Sequence, residues 1–429
     1  MTVARFFRLA EHDTDVRTEL LAGLTTFMTM AYILVVNPQI LADAGMDRSG
    51  VLAATALGAA FATLVMALHA NLPFALAPGM GLNAFFAYTV VLGMGYPWQF
   101  ALTAVFVEGL LFTALTFLRL REAILAAIPL NLKHAIAAGI GLFIASIGLQ
   151  TGGLLARTTD GRLELGDVTT PGVVLAALSL LLAGVLEARR VKGSLLWAIL
   201  AATVVGWPLG VTQLPAGWTP PPSPGPVLLK FQWSQVLTMD FLVVLFTFLF
   251  VDLFDTAGTL LGVANRAGML DARGRFPGAN RALLADSLGT TVGACLGTST
   301  VTVYVESAAG VAQGGRTGLT ALTVAVLFLA AMLVAPVFLA IPAQATAGAL
   351  VLVGLMMLQP ICKLNLGDPA EALPAFLTLL VMPLAGSIAD GILVGVLAHV
   401  LMRLLLGRAH EVSPLTWIIA AVFLVKLVA

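Results

Sequence analysis

Six carboxylates lie inside stretches that are otherwise apolar: Glu108, Asp252, Asp255, Asp286, Glu306 and Asp390. No Lys or Arg sits in the middle of any of these stretches, so ordinary buried ion pairs are mostly out of reach. A lone carboxylate in a low-dielectric site tends to keep its proton; otherwise it needs a protein donor, water or a bound N–H. Ionisable groups at membrane depth mark functional sites by default. Asp252 and Asp255 are three residues apart in Phe250-Val251-Asp252-Leu253-Phe254-Asp255-Thr256-Ala257-Gly258-Thr259. They share nearly one helical face, and two such close acids favour one holding a proton. Glu306 stands where the β-branched run Thr298 to Val305 gives way to a helical pattern. Asp255 and Glu306 are therefore read as functional groups rather than structural caps or interhelical hydrogen bonds, with Asp252 behind them, and the three are the acids expected to carry any proton coupling. Glu108 reads as a protonated packing residue, Asp286 and Asp390 as solvated or capping groups near span ends, and His134 and His399 as interfacial. Asn83, able to donate and accept, contacts substrate or shapes the site.

The elements that must position these groups are membrane spans. The chain has 429 residues, 59% hydrophobic and 10% charged, with mean hydropathy +1.01. Soluble domains run about 25% charged, so a water-facing globular enzyme is excluded. Lys+Arg and Asp+Glu both total 22, which leaves no basic excess for nucleic acid. Cys295 and Cys362 are too few for a disulfide framework or a cysteine zinc site, and five scattered histidines make no metal cluster. No Gly-Lys pair exists, so there is no P-loop. No metal or cofactor is expected beyond a coupling ion, a proton or alternatively sodium.

A spanning helix needs about 20 mostly apolar residues. Such runs occur near 18–36, 50–68, 78–92, 98–118, 134–150, 171–188, 194–212, 237–262, 281–297, 304–314, 317–339, 344–360, 371–386 and 388–406. The fold class expected is an all-α polytopic membrane protein with 14 segments; the runs are too long and uniform for a β-barrel. The first run is no cleaved signal peptide. The stretch 414–428, interrupted by Lys426, reads as an interfacial or additional helix. With a cytoplasmic N-terminus, the outer loops hold only Arg48, Arg157, Arg162 and Lys230, and nearly all other basic residues fall inside. That bias supports the span count; the location expected is the bacterial cytoplasmic membrane.

The halves repeat one another. Thr26-Phe27 and Thr247-Phe248 open corresponding runs; Ala54 to Gly58 parallels Ala285 to Gly289; Ile128-Pro129 parallels Ile341-Pro342. The shared order is the evidence. Seven spans per half makes the second half inverted, a transporter device with its site near the midplane. The third and tenth segments are both broken. Leu72-Pro73-Phe74-Ala75-Leu76-Ala77-Pro78-Gly79-Met80-Gly81-Leu82-Asn83 carries two prolines and two glycines, and Thr298 to Val305 favours extended backbone. Non-helical backbone at membrane depth must be buried in protein or line a cavity. Two short strands are expected, each leading into a half-helix, one beginning near Gly79 and one near Val305.

Ala77-Pro78-Gly79-Met80-Gly81-Leu82-Asn83-Ala84-Phe85-Phe86, the Phe250 to Thr259 stretch and Thr298 to Gly310 resemble the nucleobase–ascorbate transporter family of nucleobase:cation symporters, in its guanine, hypoxanthine and adenine permease branch. The resemblance covers about residues 15 to 425. It implies a core domain (1–122 and 237–340), a gate domain (123–213 and 341–408), a Pro-rich extracytoplasmic linker (214–236), a C-terminal element (409–429) and a homodimer. It implies substrate between two crossed strands, held by an acid of the eighth span and one of the tenth; these match Asp255 and Glu306, and the branch's third-span Asn matches Asn83. Uracil and xanthine branches carry Glu in the eighth span; Asp255 followed by Thr256 points away from uracil and towards purines. Gly79, Thr256, Tyr304, Ser307 and Phe85 complete the expected substrate set, Phe85 or Tyr304 stacking on the base. The function implied is proton-coupled purine transport by elevator-like alternating access. Alternatives are a sulfate-type anion transporter of similar plan and an intramembrane aspartyl protease.

Overall fold

A computed structural model describes residues 3–118, 129–157, 163–213, 220–271 and 276–428, with the side chains of Lys426 and Val428 set aside. Arg119, Arg121, Ile128, Arg162, Arg273, Arg275, the 122–123 domain junction and part of the Pro-rich linker lie outside the described residues.

The chain is a multi-pass helical membrane protein. The helices are α1 (Val16–Met30), α2 (Ile33–Asp43) and α3 (Arg48–Val65), then strand β1 (Leu76–Pro78), α4 (Met80–Ala84, continued by π-helical turns to Gly93), α5 (Trp98–Phe117) and α6 (Leu130–Thr151). A hairpin, β2 (Leu155–Arg157) with β3 (Leu163–Leu165), precedes α7 (Pro171–Ala188) and α8 (Ser194–Gly206). The second half runs α9 (Met239–Arg266), α10 (Ala279–Leu296), β4 (Val301–Val303), α11 (Ser307–Ala312), α12 (Gly318–Ala331), α13 (Ala343–Met357), α14 (Pro369–Ala385), α15 (Ile388–Leu405) and α16 (Pro414–Val428). Among the described residues nine helical stretches are long and apolar enough to cross a bilayer, and four shorter apolar helices accompany them.

These helices are apolar nearly all round, so their ends are set by caps rather than by periodicity. Asp15, Asp47, Thr238, Thr317, Asp368 and Ser387 each accept a backbone N–H of the helix they open. Two further joints tie the halves together. Glu19 of α1, fully buried, accepts from the N–H of Arg316 (2.9 Å), Thr317 (3.3 Å) and Thr320 (3.1 Å) and from the Thr320 hydroxyl (2.6 Å), closing the start of α12. Tyr96, just before α5, donates to Asp240 of α9 at 2.5 Å; that bond and burial push its hydroxyl up to about 12. Glu19 is a buried acid that the sequence reading passed over.

Helices of the two halves interleave in two groups. In one, α10 packs on α3 and α5, α12 on α1 and α3, and α11 on α1. In the other, α13 packs on α6 and α7, α14 on α6 and α15, and α7 on α8. Small residues permit the closest approaches. A Cβ on Gly310 of α11 would lie 2.1 Å from the Thr26 hydroxyl, and one on Gly348 of α13 would lie 2.5 Å from the Leu180 backbone nitrogen.

At the centre of the first group β1 and β4 pair antiparallel, Leu76 opposite Val303 and Pro78 opposite Val301. Gly79 N donates to Thr300 O at 2.9 Å, and Tyr304 N to Ala75 O at 3.0 Å, extending the ladder at both ends. Backbone this deep has no water to satisfy it, and two threonines complete it. Thr63 Oγ1 bonds both N and O of Leu76, each at 3.0 Å. Thr290 Oγ1 bonds O and N of Val301 at 3.0 and 3.2 Å.

Candidate functional site

The site forms where these strands turn into half-helices. Pro73 and Pro78 lack a backbone N–H and bar helix on one side; Gly79 then caps α4 with extended backbone. On the other side the helix starts at Ser307 with Glu306 as its N-cap, two residues after the expected start near Val305. Asp255 projects from α9 towards the Thr302 side chain of β4. Glu306 and Asp255 lie within electrostatic reach of each other and of Tyr304. Asp255 and Glu306 are half-buried as residues, and neighbouring Val305 is 51% exposed. The described ion pairs join Arg8 to Glu11, Arg403 to Glu371 and Glu411, and Arg408 to Asp368. Neither Asp255 nor Glu306 is among them.

Tyr32, in the break between α1 and α2, donates its hydroxyl to Glu306 Oε1 at 2.8 Å. Sequence reasoning missed it. The available signal was a tyrosine inside an apolar span, whose hydroxyl must find a partner. The chain has four tyrosines, and three donate to carboxylates: Tyr32 to Glu306, Tyr88 to Asp43 and Tyr96 to Asp240.

The remaining expected residues are buried. The Tyr304 hydroxyl donates to Pro78 O at 2.5 Å. Ser307 Oγ accepts from Ala75 N at 3.0 Å. Thr256 Oγ1 lies 3.1 Å from Asp252 Oδ1 and 3.0 Å from Asp286 Oδ1. Phe85 is enclosed and packs edge-to-face on Phe248, centroids 4.7 Å apart, so its ring faces are spoken for by protein. Asn83 is fully buried; its Oδ1 accepts from the Ser299 hydroxyl, and its Nδ2 has no partner. Ser299 is one of three consecutive hydroxyls held by different helices. Thr298 accepts from Asn37 of α2 at 2.9 Å, and Thr300 donates to Glu108 of α5 at 2.7 Å.

Two expectations need correction. Asp286 is not solvated: it is 1% exposed and shares the Thr256 hydroxyl with Asp252. His399 is not interfacial but 4% exposed within α15. Asp390 does stand in the first turn of α15, where Ser387 Oγ accepts its N–H.

Two neighbouring carboxylates can accept N–H groups from a polar heterocycle in charge-assisted bonds, one from α9 and one from the turn after β4. A model of a permease family, Xan_ur_permease, matches residues 17–394. The chain is 42% identical to the adenine permease AdeP of Escherichia coli, over 99% of this chain and 95% of that one. It is also 42% identical to the guanine/hypoxanthine permease PbuO of Bacillus subtilis, over 98% of this chain and 99% of that one. The transmembrane domain of the cyanobacterial bicarbonate transporter BicA superposes with TM-score 0.64 at 18% identity, covering 89% of this chain and 97% of that one. At that identity the likeness is one of fold alone.

Proposed function

The chain belongs to the Xan_ur_permease family of permeases, and on that premise we propose that it moves purine nucleobases across the membrane, with Asp255 and Glu306 binding the base. It is a transporter and not an enzyme. The observation that carries the reading is the proximity of these two half-buried acids, Glu306 bonded to the Tyr32 hydroxyl and neither acid in an ion pair among the described residues. Purines present ring N–H groups that carboxylates accept. The relatives named for adenine and for guanine/hypoxanthine support the purine class. On this reading fourteen segments form a seven-plus-seven inverted repeat. The group containing β1 and β4 is the core, and the group built on α6, α7 and α13 is the gate. The core slides against the gate once substrate and a proton have neutralised the site.

The test is uptake of radiolabelled hypoxanthine, guanine and adenine by cells expressing the protein, at two pH values. Glu306→Gln keeps shape but loses the charge, and uptake should fall at least 100-fold. Asp255→Asn should do the same. Wild-type uptake in Glu306→Gln would refute the assignment. Labelled bicarbonate and sulfate in the same assay should show no uptake above control, which separates purine from anion transport.

A further inference from the structure

Seven residues beyond Tyr32 on the same first segment, a second cluster of polar side chains crosses from one helix group to the other. Gln39 of α2 donates through Nε2 to Ile341 O at 3.1 Å, and its Oε1 accepts from the Thr346 hydroxyl of α13 at 2.6 Å. Arg48, opening α3, donates through Nη2 to the same Ile341 carbonyl at 2.9 Å. Both lone pairs of one buried carbonyl are thus taken by donors from the other group. A cavity of about 180 Å³ adjoins the cluster, with Asp43, Tyr88, Thr151 and Leu350 in its wall. Two turns of helix, about 10 Å of rise, place Gln39 over the face that carries Tyr32. One short helix therefore meets Glu306 at its start and the opposite helix group near its end.

We infer that Gln39 and Arg48 are positioning residues of the transport cycle: they latch α2 and α3 onto Ile341 and Thr346, and the latch opens each time the site changes sides. The inference rests on the transport reading above. Sliding one group past the other breaks all three hydrogen bonds together. Ile341 O and the Gln39 amide then need water, and the adjoining cavity can hold about six molecules at roughly 30 Å³ each. The latch therefore has a route to rehydration as it parts, which an apolar seam would lack. Its three bonds connect side chains that do not touch the two acids, so it sets the rate of exchange between states and leaves binding alone.

Two measurements test this in a background carrying Cys295→Ser and Cys362→Ser. In the first, Leu350→Cys reports the seam without reference to any substrate. Adding Gln39→Ala with Arg48→Ala should raise its rate of maleimide alkylation in purified protein at least fivefold; an unchanged rate overturns the latch. In the second, Gln39→Cys with Thr346→Cys is bridged by a short bis-methanethiosulfonate reagent. Bridging should cut purine uptake at least tenfold, reversibly with reductant, and change guanine binding less than threefold. Full uptake by fully bridged protein overturns the latch. Unbridged protein that alkylates as expected, yet neither binds nor moves a purine, counts against the substrate reading and leaves the latch supported.

Discussion

The β1–α4 and β4–α11 segments solve one backbone problem in two ways. Each is a three-residue strand followed by a half-helix, and each strand borrows a threonine from the preceding helix, Thr63 for Leu76 and Thr290 for Val301. They differ in what breaks them. Prolines and Gly79 forbid helix in the first. In the second no proline intervenes, and three hydroxyls bind Asn37, Asn83 and Glu108 on three helices. They differ again in what they offer a ligand. The first half-helix is capped by a glycine without a side chain; the second is capped by Glu306, with Asp255 beside it on α9. Among the described residues the first half adds the Tyr32 hydroxyl, which donates to Glu306. Scaffold is shared between the halves and acid chemistry is confined to one. That division suits a ligand without two-fold symmetry.

The shared part predicts the largest losses. Thr63→Val and Thr290→Val each strand one buried N–H and one buried C=O, at about 1–3 kcal/mol per group. Both variants should lose several kcal/mol, read as a lower melting temperature of detergent-purified protein or as failure to accumulate. Similar losses uphold the equivalence of the two strands. Tolerance of one substitution and not the other breaks it. Ser299→Ala probes the part with no counterpart in the first half. It leaves the buried Asn83 amide, whose Nδ2 is already unpartnered, without its remaining side-chain bond, at about 1–3 kcal/mol. A melting temperature equal to wild type would show that the hydroxyl row does not fasten the second strand.

How much of this could be read from the sequence depended on whether the signal was local. The apolar spans, the Pro-Gly break at 73–79 and the β-branched break at 298–305 are properties of neighbouring residues, and the strands form where those breaks fall. Asp255 and Glu306 stood out because no basic residue shares their spans. What stayed hidden was partnership. Tyr32 and Glu306 are 274 residues apart, and Asn83 and Ser299 are 216 apart; periodicity carries no information at such separations. Asp286 was misplaced because distance from a span end was taken as a guide to solvation. α10 packs between α3 and α5, so its inner face, Asp286 included, is enclosed by protein although Asn280 and Arg281 in its first turn are exposed. Glu19 was passed over because it lies in the first turn of α1, among polar residues that look solvent-facing until α12 is placed beside them.

Tyr32→Phe should have the smallest effect, and it isolates the one contribution the first half makes to the acid pair. The substitution preserves the ring, which is 1% exposed, and deletes only the donor to Glu306. A hydrogen bond to a charged group is worth about 1.5–3 kcal/mol. Glu306 is half-buried and next to exposed Val305, so water can replace part of that bond, and about 1 kcal/mol should be lost. At 1.4 kcal/mol per factor of ten, the KM for purine uptake should rise about fivefold with maximal rate little changed. A Glu306→Gln, Tyr32→Phe double variant should be no worse than Glu306→Gln alone, because the hydroxyl acts through the carboxylate. An additive further loss would place Tyr32 directly on the ligand, and the first half would then share in the chemistry as well as the frame.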